Sequence, residues 1–421
     1  MEDNHSIRGF KGFDKDLSCR GFQYEVGKDY EQEGEAVCCK KGFHFCENPL
    51  EVFRYYSPCT SRFCQVEGGG SVDKSEADSK VATSHIHISS EIGLNGLIDE
   101  GVKYILNKVD CYGGKTTNTG SYSVSTRTTR YSVAINKGGH STATNTGFYS
   151  AAINKGEKSV ATNCGYQSVA INKGGLSVAT NTGDHSVATN TGNYSAATNT
   201  GDRSAATNTG ERSAATNTGY QSAATNTGNY SAATNTGCQS AATNSGNKSA
   251  ATNTGYQSAA TNSGNYSAST NTGNYSAATN TGDKSAATNT GERSAATNTG
   301  ERSAATNTGY QSAATNSGNK SAATNTGDYS SATSSGKQST AISTGDKSEA
   351  TVQGNESIAV VTGKDSMACG TLGSWIVLTE RGDFDGEINP IKEVKAFKVD
   401  GVNIKENIPY KLVDGQAVAV I

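Results

Sequence analysis

The sequence predicts a mainly β fold: a two-sheet parallel β-solenoid of 18-residue coils, with a small α+β cap before it and an antiparallel β cap after it. Three observations predict it. From about Gly114 to Leu372 one nine-residue phrase, Ser-Ala-Ala-Thr-Asn-Thr-Gly-x-x, recurs almost without interruption. A fixed short period marks one structural element stacked on its neighbours. Within the phrase, fixed and variable positions alternate: Ser132 to Ser366 never vary, and Ala134, Ala143, Ala161 and Ala359 nearly never do. Between them, Val133, Thr142, Glu349 and Met367 share one slot. Period two is the signature of a strand with one face inside, so Ser, the second Ala and Asn point inward and both threonines outward. Valine at the late asparagine slots, Val352 and Val361, fits a packed interior.

The third observation sets the coil. Ile135, Ile153 and Ile171 replace the first threonine at spacings of eighteen, and the Tyr-Gln pairs at Tyr166, Tyr220, Tyr256 and Tyr310 are separated by multiples of eighteen. Alternate phrases therefore share an environment, which gives two phrases per coil and two opposed parallel sheets. At ~4.8 Å per strand, about fourteen coils would make a rod of roughly 70 Å. The glycine of each phrase is expected to turn the chain with positive φ. With so little apolar area inside, the asparagines are expected to bond from coil to coil as stacked amides. Open sheet edges need covers, which gives the flanks their purpose.

The boundaries follow: residues 1–113 as the N-terminal cap, 114–372 as the solenoid and 373–421 as the C-terminal cap. In the first, Phe10, Phe13, Phe22, Tyr24, Phe43, Phe45, Phe53 and Phe63 supply the bulk that the solenoid lacks. Lys41–Cys46 and Arg62–Glu67 read as strands, Asn48-Pro49 as a helix start and Ser79–Ser89 as extended. Glu91–Lys108 reads as an amphipathic helix through Leu94, Leu97, Ile98 and Val102. The stripe Ile135, Ile153, Ile171 would be disfavoured in water, so the N-terminal unit is expected to dock there. After Gly373, Trp375–Thr379 is a strand, and Lys395–Ile404 and Tyr410–Ile421 read as hairpins around Asp-Gly.

Composition excludes several classes. A 421-residue chain with 33% hydrophobic residues, 49 Gly and one Trp is too apolar-poor for an ordinary enzyme of its length. A net charge of -3 offers no basic footprint for nucleic acid. No apolar run of eighteen predicts a membrane span, and the polar start is not a signal peptide, so a cytoplasmic or virion-associated location is expected. Six early cysteines, Cys19, Cys38, Cys39, Cys46, Cys59 and Cys64, lack the paired spacing of a zinc site and are expected to be buried free thiols, with no metal and no cofactor. His85 and His87 share one strand face and read as surface decoration.

Arg20–Lys28, Gly42-Phe-His-Phe-Cys-Glu-Asn-Pro49, Tyr55-Tyr56 and Asp78–Val81 resemble an uncharacterised domain family of phage and gut-bacterial proteins, often joined to Ser-x-Ala repeats and a tail like Gly373-Ser-Trp375. That resemblance implies a phage or prophage setting and brings no activity. Arg8-Gly-Phe, Gly42-Phe-His-Phe and Glu67 are similar to fragments of the ADP-ribosyltransferase pattern, in which Arg8 or His44 would hold NAD and Glu67 would be catalytic; no complete motif is present.

The expected function is therefore non-enzymatic: a structural rod or a display surface for a protein or surface partner, with homo-oligomerisation through solenoid faces or ends compatible with it. The candidate surface is the outward threonine array, Thr198, Thr200, Thr207, Thr209, Thr216, Thr218, Thr225 and Thr227. Its regular spacing is similar to the Thr-x-Thr face of β-solenoid ice-binding proteins, which makes ice binding the first alternative and an ADP-ribosyltransferase-like activity the second.

Overall fold

The computed structural model describes residues 6–58, 60–75, 78–112 and 115–420, with side chains described up to residue 104 and again from 115. It is mainly β, with a β-solenoid of about 15 turns and two parallel sheets. The chain divides into two compact units, residues 1–210 with 215–223 and residues 211–214 with 224–421.

The first unit begins with a small barrel-like domain. Its strands are β1 (Ile7–Phe13), the short β2 (Ser18–Cys19) and β3 (Phe22–Gln23), β4 (Asp29–Glu31), β5 (Phe43–Cys46), β6 (Arg62–Lys74) and β7 (Lys80–Glu91). The main sheet runs β4-β7-β5-β1-β6, and β6 also pairs with β7. The expected helix after Asn48 is a single 3-10 segment, Pro49–Arg54, whose first free N–H, on Leu50, is taken by the Asn48 side chain at 3.1 Å. Helix α1 (Gly93–Tyr112) follows β7.

Solenoid coils complete the first unit. Strands eighteen residues apart pair in parallel, so Ile135 lies beside Ile153 and Ile153 beside Ile171. The alternate half-coils do the same, Thr144 beside Thr162 and Thr162 beside Thr180. Inward residues are fully buried, with Ala143, Asn145, Ala161 and Asn163 at 0% exposure.

The serines make the coil-to-coil ladder. Ser150 N–H donates to the Ser168 hydroxyl at 2.9 Å, and the single O–H of that hydroxyl has the carbonyls of Tyr166 (3.1 Å) and Gly147 (3.2 Å) within reach. A buried N–H left without its acceptor costs about 1–3 kcal/mol, which explains why this position never varies. The asparagines behave differently from the expected amide stack. Asn163 Nδ2 donates across the interior to the carbonyls of Ser150 (2.9 Å) and Val169 (3.1 Å), and its Oδ1 accepts from Gly165 N–H at 2.8 Å. These amides tie sheet to opposite sheet and close the turn.

The glycine expectation is also corrected. From Tyr122 to Asp365 the positive φ, between 50° and 57°, falls on the residue just before the serine, such as Tyr149, Lys158 or Gln167, and not on the phrase glycine. That conformation costs a non-glycine residue roughly 1 kcal/mol or more. It aims the N–H up the stack: Tyr149 N–H donates to the Tyr166 carbonyl at 3.0 Å. The glycine is required for another reason. A Cβ on Gly165 would stand 1.9 Å from the Gly147 carbonyl oxygen of the neighbouring coil.

The small domain lies on the stripe of isoleucines. Ile135, Ile153 and Ile171 share one buried cluster with Phe10, Leu50, Val52, Phe53, Phe63, Leu97 and Ile98. Under it, Val133–Asn136, Ala151–Asn154, Val169–Asn172 and Ala205–Asn208 are buried on both faces and Val187–Asn190 and Ala223–Asn226 nearly so, whereas strands of the opposite sheet such as Thr142–Asn145 alternate. The covered face therefore runs on to Ala223, 4% exposed, where the Ser57 hydroxyl reaches the Gln221 carbonyl at 3.4 Å. Where the ordinary threonine persists beneath the domain, at Thr189 and Thr207, its hydroxyl is buried with no partner among the described residues. Isoleucine at the other three positions removes that cost. Thr207→Val should raise the stability of the docked domain by about 1 kcal/mol, read from its denaturant midpoint.

The second unit repeats the same coil from Ala232 onward, with Ala250, Ala268, Ala286 and Ala304 in register on one sheet. Near its end Ser334 and Ser343 replace asparagine with buried hydroxyls that have no partner among the described residues, and Val352 and Val361 join an apolar cluster with Ile376, Leu378 and Val399. Trp375–Arg381 adds in parallel to Ile358–Val361 and pairs antiparallel with Ile391–Lys398. The hairpin expected over 395–404 does not form. The Asp400 carboxylate accepts the N–H groups of Val402, Asn403 and Ile404, which removes them from any ladder and lowers its pKa to about 2. The second expected hairpin is present, Tyr410–Val413 with Gln416–Ala419.

Candidate functional site

Two places carry chemistry, the threonine faces and a cavity in the small domain. On the faces, Thr200, Thr209, Thr218 and Thr227 are exposed, and Thr198, Thr216 and Thr225 half-buried. Thr207 departs from the expectation, because the small domain covers it to 4% exposure. In the second unit the array is regular: Thr243, Thr261, Thr279 and Thr297 stand in register on one sheet, Thr252, Thr270, Thr288 and Thr306 on the other.

The cavity is built from β1 outward. In Phe10-Lys11-Gly12-Phe13 all four residues are buried, so this strand is covered on both faces and the lysine is carried inside with the phenylalanines. Gly12 has no room for a side chain, since a Cβ would meet the Tyr56 ring at 2.3 Å. Lys11, 4% exposed, donates from Nζ to the His44 carbonyl at 2.8 Å and lies 5.5 and 5.7 Å from the ring centres of Phe13 and Tyr24. Burial lowers its pKa, opposed by the neighbouring Cys19. Cys19 Sγ is 2.8 Å from the Tyr56 hydroxyl, and burial raises the tyrosine's pKa.

Around these groups lies a space of about 700 Å³, lined among others by Arg20, Lys40, Lys80, Gln32, Phe22 and Tyr55, with Asp14 its one carboxylate. His44 Nε2 accepts the Cys39 N–H at 2.9 Å, and burial followed by the Lys11 charge lowers its pKa, so it stands as a neutral ring fixed by backbone. Lys80 Nζ donates to the Tyr55 hydroxyl at 3.2 Å, which also hydrogen-bonds Asp78. Arg20 and Cys39, both lining residues, hold positive φ of 52° and 68°.

Residues 7–100 match the model of a domain of unknown function, DUF7666. The cavity lies wholly within the DUF7666 domain, and the match ends before the repeats begin. No curated protein and no solved structure matches the chain.

The ADP-ribosyltransferase fragments do not assemble on this DUF7666 cavity. Arg8 and Glu67 face each other across β1 and β6 and form an ion pair at 3.1 Å, with Arg8 75% exposed; of the three residues only His44 lines the space. The cysteine expectation holds in part. The described early thiols are unpaired, but only Cys46 and Cys64 are buried and Cys39 is exposed; Cys59 lies outside the described residues. His85 and His87 bracket Asp29 at 3.3 and 3.1 Å. Among the described residues no group of three or more His, Cys, Asp or Glu side chains is placed for a metal, and no helix is long and apolar enough to cross a membrane.

Lys11 and Lys40 belong to no sequence motif, and Arg20 and Tyr56 stand in segments of the family resemblance without an assigned role. The one sequence signal for Lys11 is its place in the strand between Phe10 and Phe13.

Proposed function

We propose that this chain is a non-enzymatic display protein, in which the solenoid presents a repeated surface to a protein or surface partner and the DUF7666 domain protects its first coils. One observation carries the reading: on both sheets of the second unit the outward positions repeat Ala-x-Thr from strand to strand, and each is partly exposed. A surface without a unique constellation suits many weak, identical contacts better than catalysis. The Arg8–Glu67 pairing, which neutralises the one carboxylate an enzymatic reading would use, supports the same conclusion. A phage or prophage setting, with a cytoplasmic or virion location, rests on the resemblance of the first quarter.

Ice binding is the second reading, favoured by the in-register threonines themselves. Thermal hysteresis of the purified chain separates the two. The display reading expects no gap between melting and freezing points. A gap abolished by changing Thr243, Thr261, Thr279 and Thr297 to Tyr would establish ice binding instead.

A further inference from the structure

We propose that the cavity of the DUF7666 domain binds a phosphate ester of a planar ring, the class that includes aryl phosphates and mononucleotides. Among the described residues, no carboxylate pairs with Lys11, Arg20 or Lys40, all of which line the space, and Asp14 is its only acid. Lys80, bonded to the Tyr55 hydroxyl, shares the carboxylate of Asp78 with Arg54, which pairs with it at 3.6 Å, and is left out of the count. Three unpaired cations against one carboxylate leave an excess of two positive charges. A phosphate monoester carries about that charge at neutral pH, whereas a carboxylate supplies half of it.

Donors and walls agree with the charge. A fully buried ammonium without a counter-ion is costly, and Lys11 has donor capacity beyond its bond to the His44 carbonyl. Gln32 Nε2, also in the lining, is a buried amide nitrogen with no hydrogen-bond partner among the described residues. Both are donors, as an anion requires. Phe22, Tyr24, Phe43, Tyr55 and Tyr56 supply aromatic walls on which a ring can lie, and about 700 Å³ is within the usual size for a small-molecule site.

Calorimetric titration of the full chain tests this with four probes: phenyl phosphate, AMP, benzoate and inorganic phosphate. Phenyl phosphate or AMP should bind, with benzoate and inorganic phosphate weaker by about tenfold or more, and binding should fall as salt rises. Preference for AMP over phenyl phosphate would assign the nucleotide within the class. Lys11→Met should remove binding. Because that change touches the core, the surface double variant Arg20→Ala/Lys40→Ala is the safer test, and it should weaken phenyl phosphate at least about tenfold. Absence of heat from every probe at millimolar concentration would overturn the proposal. So would binding unchanged in the double variant, or benzoate binding as tightly as phenyl phosphate.

Discussion

Gly174→Ala should destabilise the first unit by about 3 kcal/mol or more, while Gly175→Ala, one residue along, should cost less than about 1 kcal/mol. The two positions differ only in what lies above and below them. A Cβ on Gly174 would stand 2.0 Å from the Gly156 carbonyl oxygen and 2.4 Å from its carbon, backbone atoms that cannot rotate away. Relief requires the coils to separate, and separation breaks ladder bonds on both sides, beginning with Lys173 N–H to the Asn154 carbonyl at 3.0 Å. A Cβ on Gly175 would meet only the Asn193 carbonyl oxygen, at 3.4 Å, which is ordinary contact. Hydrogen exchange of the 169–190 amides reads the effect locally, as stacked repeats need not unfold in one step. Equal protection in both variants would mean that the glycine serves the turn and not the stacking distance.

Changing Ile135, Ile153 and Ile171 together to Thr should cost on the order of 5 kcal/mol of docking, roughly 2 kcal/mol for each lost side chain and stranded hydroxyl. The three are 8%, 5% and 7% exposed beneath Leu50, Phe53, Leu97 and Ile98. Thr189 and Thr207 already show the outcome, threonine hydroxyls buried there with no partner among the described residues. The strands should survive, because threonine is the ordinary residue at that slot and the Ser and Asn bonds do not involve it. Limited proteolysis between residues 108 and 115 should become fast, with the circular-dichroism signal of the strands retained. Unaltered resistance would place the docking energy in other contacts, such as Arg203 Nη1 to the Arg54 carbonyl at 3.3 Å.

The amino-acid sequence by itself determined the solenoid: its period, two phrases per coil, and which residues face inward. Those are local consequences of a repeat, since each phrase meets only copies of itself, and comparing copies reveals which positions are constrained. The covered stripe was legible for the same reason, isoleucine breaking the pattern at three stacked positions. Tertiary structure alone decided why the constrained residues are constrained. Whether a glycine is kept for its φ or for a neighbouring carbonyl depends on how close the adjacent coil comes. Whether an asparagine bonds along the stack or across it depends on which backbone groups face it. It alone turned Thr207 from surface into interface, because the extent of the small domain's footprint is not written in the repeat. It also gathered Lys11, Arg20, Lys40 and Gln32, which are scattered over thirty residues of unrepeated sequence, around one cavity. No periodicity relates such residues; the pairing of β5 with β1 and β7, whose strands and loops carry them, does.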